Sequence, residues 1–203
     1  MVLDMKLILV RHGETVLNAK NVAQGWMDDH LNENGRRQAE QVSARLKSLK
    51  ISAIYSSDLK RARETAEIIA KPHGLKVVQL KALREQNFGK AEGVNRDEIN
   101  KRFDNFLEKR KTDPDLAPPS GESFRQLMKR IKKALDAIYQ KHTEGTVVVV
   151  THGGSKRAAM WALGVMGFEE AMSNYFGNTS LTELEMEGGK ATVVCLNCTK
   201  HVV

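Results

Sequence analysis

Two histidines occupy the same kind of place in this sequence. His12 follows an apolar run in LVRHG and His152 follows another in VVTHGG, each shortly before a helical pattern. Arg11 directly precedes the first histidine. Arg61 lies in SSDLKRARE, where a third short apolar run gives way to a helical pattern, and Glu85 follows a fourth in LREQNFG. Taken singly, each reads as an ordinary surface or hydrogen-bonded residue; together they form a set. A guanidinium is a planar, permanently charged fork that matches phosphate oxygens, and a neutral imidazole offers a nitrogen nucleophile near physiological pH. A carboxyl group can hand a proton to a leaving alcohol. The combination points to phosphoryl transfer. The Walker pattern GxxxxGK[ST] and an aspartate-rich cluster suited to magnesium are both missing from the sequence, so arginines are expected to meet the charge, with no metal and no other cofactor.

These residues can meet only if the elements bring them together. Residues 6–10, 52–56, 76–80 and 146–151 are short and rich in β-branched side chains, as buried strands are. Between them the apolar residues Ala39, Val42, Leu46 and Leu49 follow a 3.6-residue period, as do Leu59, Ala62, Ala66 and Ile69, with Ser57 or Asp58 as the expected cap. A longer helix is expected over 122–142, its stripe carried by Phe124, Leu127, Ile131, Leu135 and Ile138. Such alternation predicts an α/β fold, a three-layer sandwich with a mostly parallel central sheet and helices on both faces. Runs at about 180–186 and 191–197 flank EGG and read as a hairpin extending the sheet in antiparallel fashion. In open sheets of this kind, loops at the carboxyl ends of strands form the ligand crevice.

The 203 residues suit a single domain over 1–203. Residues 86–120 break the alternation with a polar, charged stretch closed by DPDLAPPSGES, and are expected to form a lid-like insertion that sets specificity. No apolar stretch approaches the roughly 20 residues that span a bilayer. The first residues, MVLDMKLILV, are too short and too charged for a signal peptide, so a cytoplasmic location and no membrane partner are expected. The net charge of +7 suggests anionic partners. KRAR at 60–63 and KRIKK at 129–133 could touch nucleic acid, but the second is interrupted by the core stripe and only 5% of residues are aromatic, so no nucleic-acid partner is expected. The two cysteines, Cys195 and Cys198, lie three apart in a strand and are expected to face opposite sides, as a structural pair without a metal.

The motifs LVRHGET, SSDLKRARETA, LREQNFGKAEG, PSGESF and VVTHGG, in this order, resemble the histidine phosphatase superfamily, also called phosphoglycerate-mutase-like. Asn18 with Gln24–Gly25, LNENGRRQA at 31–39 and NTSLTELE at 178–185 add to the likeness, which covers nearly the whole chain. The resemblance implies a metal-independent phosphomonoesterase acting on a small phosphorylated substrate. His12 would be the nucleophile, forming a phosphohistidine, with Gly13 letting a backbone carbonyl fix its tautomer. Arg11, Arg61 and a cationic His152 would surround the phosphoryl group, with Asn18, Gln24, Gly25 and Gly153 completing the phosphate pocket. Glu85 would give the leaving group its proton. Phe88 would pack on the substrate, and Lys90, Arg96, Lys101 and Arg102 could bind a second anion or simply form a solvated face. Ala91 stands where many relatives carry tryptophan, which alters pocket shape. The segment between Glu85 and Gly121–Glu122 is shorter than in the mutase branch and favours hydrolysis over mutase activity. Phosphoglycerate mutase is the alternative, and a phospho-ligand sensor without turnover stands behind it. A homodimer is left open.

Overall fold

The computed structural model describes residues 5–202. Its strands are β1 (Met5–Arg11), β2 (Ile51–Ser56), β3 (Val77–Gln79), β4 (Thr146–Thr151), β5 (Leu181–Glu187) and β6 (Lys190–Cys198). Its helices are α1 (Val16–Ala19), α2 (Glu33–Leu46), α3 (Lys60–Ala70), α4 (Arg96–Arg102), α5 (Phe106–Lys109), α6 (Phe124–Lys141), α7 (Gly153–Ala162) and α8 (Phe168–Ser173). The strands form one sheet in the order β3-β2-β4-β1-β5-β6. The β3-β2-β4-β1 part is parallel, and β5 and β6 join it antiparallel as the expected hairpin.

Alternation along the strands builds two cores. Leu7, Leu9, Val147 and Val149 face α6, α7 and α8, whereas Ile8, Val10, Val148 and Val150 face α2 and α3. This is the three-layer arrangement, and it buries both faces of the parallel strands as right-handed crossovers require. Two starts differ from expectation. In α3 the N-cap is Leu59, without a side-chain cap. Ser57 Oγ instead accepts the Leu59 N–H at 3.3 Å, and Asp58 is drawn into a bidentate pair with Arg84 at 2.7 Å. The long helix α6 begins at Phe124, two residues later than expected, with Ser123 and Gln126 forming a reciprocal capping box.

Residues 88–110 carry α4 and α5 and own a small apolar cluster of Phe88, Ala91, Ile99 and Phe106 closed by Ala23. The cysteines correct the sequence reading. Cys195 pairs with Glu183 and Cys198 with Leu181, which lie two apart on β5, so both cysteines share one face. The extra residue is taken up by a register shift with Asn197 in the left-handed region, φ +49°. Neither thiol is in a disulfide. No helix among the described residues is long and apolar enough to cross a membrane.

Candidate active site

Strand order explains the meeting of the two histidines. β1 and β4 are parallel neighbours whose last residues pair, Arg11 with Thr151, and the His12 N–H donates to the Thr151 carbonyl at 2.9 Å. Both strands therefore stop at one level, and the next residue of each is a histidine. The ring centroids lie 5.1 Å apart at 60°. Beyond β4, β2 ends in the Ser57 N–H bonded to the Val150 carbonyl, and the chain enters α3 so that Arg61 points back to the same edge. Crossovers leave β1 and β4 toward opposite faces, which makes their junction the natural crevice of the sheet.

His12 is held in one tautomer. Its Nδ1 lies 2.7 Å from the Gly13 carbonyl oxygen, an acceptor, so Nδ1 carries the proton and Nε2 keeps its lone pair. That hydrogen bond demands a compact main chain at Gly13, whose N–H donates to Thr65 Oγ1 at 3.0 Å. The backbone of Gly35, at the start of α2, packs so closely that a Cβ on either glycine would overlap the other segment's carbonyl oxygen.

Around the imidazoles stand cations with few anionic partners. Arg61 is fully buried, with Nη1 donating to the Met27 carbonyl at 2.7 Å and Nη2 to that of Gly25 at 2.8 Å. Burial lowers its pKa to about 10, against the opposing pull of Glu85 and Asp28. Arg11 Nη1 donates to the Phe176 carbonyl at 2.6 Å and to Tyr175 Oη at 3.2 Å. His12 is pushed well below the ordinary histidine value by burial, then by Arg61 and Arg11. His152 is shifted the same way, by burial first and then by Arg61, which favours its neutral ring. Neither of its buried ring nitrogens has a hydrogen-bond partner, nor do Nε of Arg11, Nε of Arg61 and Oε1 of Gln24. Unsatisfied polar atoms this concentrated mark a place prepared for a polar ligand. Asn18 uses its amide oxygen to accept from the Thr15 N–H at 3.2 Å, which leaves its NH₂ for an acceptor in the pocket.

Glu85 closes the group. Its carboxylate accepts N–H bonds from Gly154 at 3.0 Å and Ser155 at 3.1 Å, at the start of α7, and from Gln86 at 2.9 Å. Gly154 is required there, because a Cβ would overlap Glu85 Oε1. The Glu85 carbonyl is gripped by Trp26 Nε1 at 2.8 Å and Arg130 Nη2 at 3.1 Å. Arg84 points away into its pair with Asp58, as an alternating segment requires.

A narrow pocket of about 20 Å³ is lined by Arg11, His12, Asn18, Gln24, Gly25, Arg61, Glu85 and Arg96. Beside it, sharing Arg11, Asn18, Glu85 and Arg96, lies a wider cavity of about 380 Å³, which Gly153 also lines. Of the basic residues in the insertion, Arg96 alone lines these spaces; Lys90, Lys101 and Arg102 are exposed. Phe88 is buried in the small cluster with Arg96 and Arg110 over its ring, so it is not a substrate-packing residue. The sequence reading missed Arg157, Tyr175 and Asn178, all of which line the wide cavity. Arg157 had a faint signal: it is five residues beyond His152, one and a half turns along the helix that starts there.

The fold and this cluster define a doubly wound α/β protein with a cationic, histidine-centred pocket at the strand ends. The histidine phosphatase superfamily (branch 1) profile matches residues 7–199, and the chain belongs to that family. Phosphoglycerate mutase-like protein 4 of Arabidopsis thaliana is 45% identical over 159 residues, covering 75% of this chain and 68% of that protein. The structure of Bacillus stearothermophilus YhfR superposes with a TM-score of 0.89 at 34% identity, covering 98% of this chain and 100% of the other. A phosphoserine phosphatase of Entamoeba histolytica, crystallised with 3-phosphoglyceric acid, gives a TM-score of 0.87 at 31% identity, with coverage of 98% and 100%.

Proposed function

We propose that this chain hydrolyses phosphomonoesters of small metabolites through a phosphorylated His12. The observation that carries the reading is the Nδ1–H of His12 on the Gly13 carbonyl, which aims a neutral Nε2 into a pocket of cations. Nε2 attacks phosphorus in line with the departing oxygen, while Arg11, Arg61 and His152 stabilise the equatorial oxygens. An arriving anion offsets the electrostatics that keep His152 neutral, and the ring then takes a proton and donates from both nitrogens. Glu85, at the boundary of the narrow and wide spaces, protonates the leaving alcohol and then draws a proton from the water that releases phosphate. The residues of 86–120 that carry Arg96 over the cavity act as the specificity insertion.

Arg96 and Arg157 support a narrower substrate class. Both line the wide cavity and neither is in an ion pair among the described residues. A leaving group with its own acidic function would satisfy them, as do phosphoserine and phosphoglycerate, the compounds that figure in the names of relatives. Arg157→Ala should raise KM for a carboxylated phosphomonoester about tenfold or more while leaving p-nitrophenyl phosphate nearly unaffected, since a charge-assisted bond is lost only with the first.

Hydrolysis of p-nitrophenyl phosphate that survives EDTA, with acid-labile phosphate trapped on the protein, tests the central reading. Labelling that persists in His12→Ala would remove His12 from its role. Glu85→Gln should slow turnover about 10²–10⁴-fold with ground-state phosphate binding retained. The mutase-named relative makes a second assay worthwhile. Interconversion of 3- and 2-phosphoglycerate stimulated by 2,3-bisphosphoglycerate would replace hydrolysis as the principal activity.

A further inference from the structure

Lys156 has no place in the chemistry above, yet it is a fully buried charged side chain. Its Nζ donates to the Ser180 carbonyl at 2.8 Å and to Ser180 Oγ at 3.0 Å, and it lies 4.7 Å from the centre of the Phe176 ring. Among the described residues no carboxylate pairs with it. Burying an unpaired ammonium is costly, and an apolar side chain of like volume would be cheaper for packing alone. The segment it grips is the one that holds the reactive residues. The Phe176 carbonyl accepts from Arg11 Nη1, and the Ser180 carbonyl accepts the Arg11 N–H at 3.3 Å. Asn178 Nδ2 donates to the His12 carbonyl at 3.0 Å, and the Thr179 N–H to the Arg11 carbonyl at 3.1 Å. Thr179 itself is β-branched with φ +53°, a conformation that persists only when neighbours impose it.

We propose that Lys156 is a positioning residue for phosphoryl transfer, its ammonium clamping the two ends of the Phe176–Ser180 turn so that the turn fixes the Arg11 guanidinium and the His12 main chain. The clamp works only while the nitrogen carries its full set of protons. The deprotonated amine donates more weakly to Ser180 and loses its attraction for the Phe176 ring. Burial holds this ammonium well below the ordinary lysine value, and Arg11 pushes the same way while Cys195 opposes them. The titratable groups facing it are thus Arg11 from β1 and Cys195 from β6, with His201, which feels its charge, beyond β6. The clamp is therefore tightest on the acid side of the ammonium's titration and is released as pH rises through it.

The inference rests on the proposed phosphatase reading, so its test uses turnover and ligand binding separately. Turnover of p-nitrophenyl phosphate by the full chain is measured from about pH 6 to 10, beside calorimetric titration with inorganic phosphate, for wild type, Lys156→Met and Lys156→Arg. Wild type should lose kcat and phosphate affinity together on the alkaline side. Lys156→Met should show about a tenfold lower kcat/KM at neutral pH, as expected for a displaced charged group, with the alkaline loss gone. Lys156→Arg, whose guanidinium holds its proton to higher pH than an ammonium in the same place, should restore part of the activity and move the alkaline loss to higher pH. A folded Lys156→Met with wild-type kinetics and an unchanged alkaline limb overturns the proposal. Should that variant fail to fold, an alkaline limb in Lys156→Arg identical to wild type overturns it equally. Wild type that binds phosphate but never turns over would sink the phosphatase reading alone, since the pH dependence of phosphate affinity in the variants still decides the role of Lys156.

Discussion

An imidazole buried among guanidinium groups resists protonation. His12 is held well below the ordinary histidine value by burial and by Arg61 and Arg11, so kcat/KM, which reports the free enzyme, should hold its plateau below pH 6.5 before His12 protonation removes it. An acid limb centred at or above pH 6.5 would contradict that assignment. Geometry is equally exacting at Glu85. Gly154→Ala puts a methyl group where Glu85 Oε1 sits, and the displaced carboxylate should slow turnover about 10–100-fold, measured on p-nitrophenyl phosphate, with a smaller change in phosphate affinity. His12, Arg61 and Glu85 were legible because each lies where a short apolar run ends, and strand ends converge. Arg157 was not, since a charged residue within a helix looks like a solvated one until the neighbouring strands are known. Phe88 misled for the converse reason: an aromatic beside a reactive glutamate suggests a ligand platform, but its ring is used up by Ala91, Ile99 and Phe106.

Among the elements, the parallel strands and α2, α3 and α6 were readable because β-branched runs and a 3.6-residue apolar stripe are local signals. The turn from Asn174 to Ser180 was not, although Tyr175, Phe176 and Asn178 all reach the cavity. It carries no periodicity, and its position depends on β5 docking beside β1, a pairing across more than 170 residues. The bulge at Asn197 escaped for a related reason. A single left-handed residue inverts the facing of everything beyond it, and Asn is an ordinary residue in a strand sequence until its φ is seen. Helix α6 shows what a local signal contributes. Ser123→Ala removes one half of its capping box and should lower stability by about 1 kcal/mol, read from the urea midpoint, without altering kcat. A loss of turnover in that variant would mean that the start of α6 is coupled to Glu85 through Glu122 and Arg130 more tightly than their hydrogen bonds suggest.

For the molecule as a whole, the buried histidines tie stability to pH. His12 and His152 have folded-state values below that of the unfolded chain, so between those values the unfolded state binds more protons. Stability is therefore fully present above about pH 6.5 and falls as the solution becomes more acidic, by about 1.4 kcal/mol per pH unit for each histidine that stays neutral. Thermal denaturation at pH 7 and pH 5 should show the drop, and inorganic phosphate should offset it by favouring the protonated rings. A Tm that rises on acidification would refute the neutral assignment. The charge of +7 acts over longer range, drawing anionic substrates toward the crevice, and kcat/KM should decline with added salt.

β1 lies between β4 and β5, and the residues that steady its last turn come from positions 175–180. During synthesis the His12 imidazole is made 166 residues before Asn178, one of its supports. Until the segment 175–180 has docked beside β1, the histidine lacks the contacts that hold it, and activity should appear only after that docking.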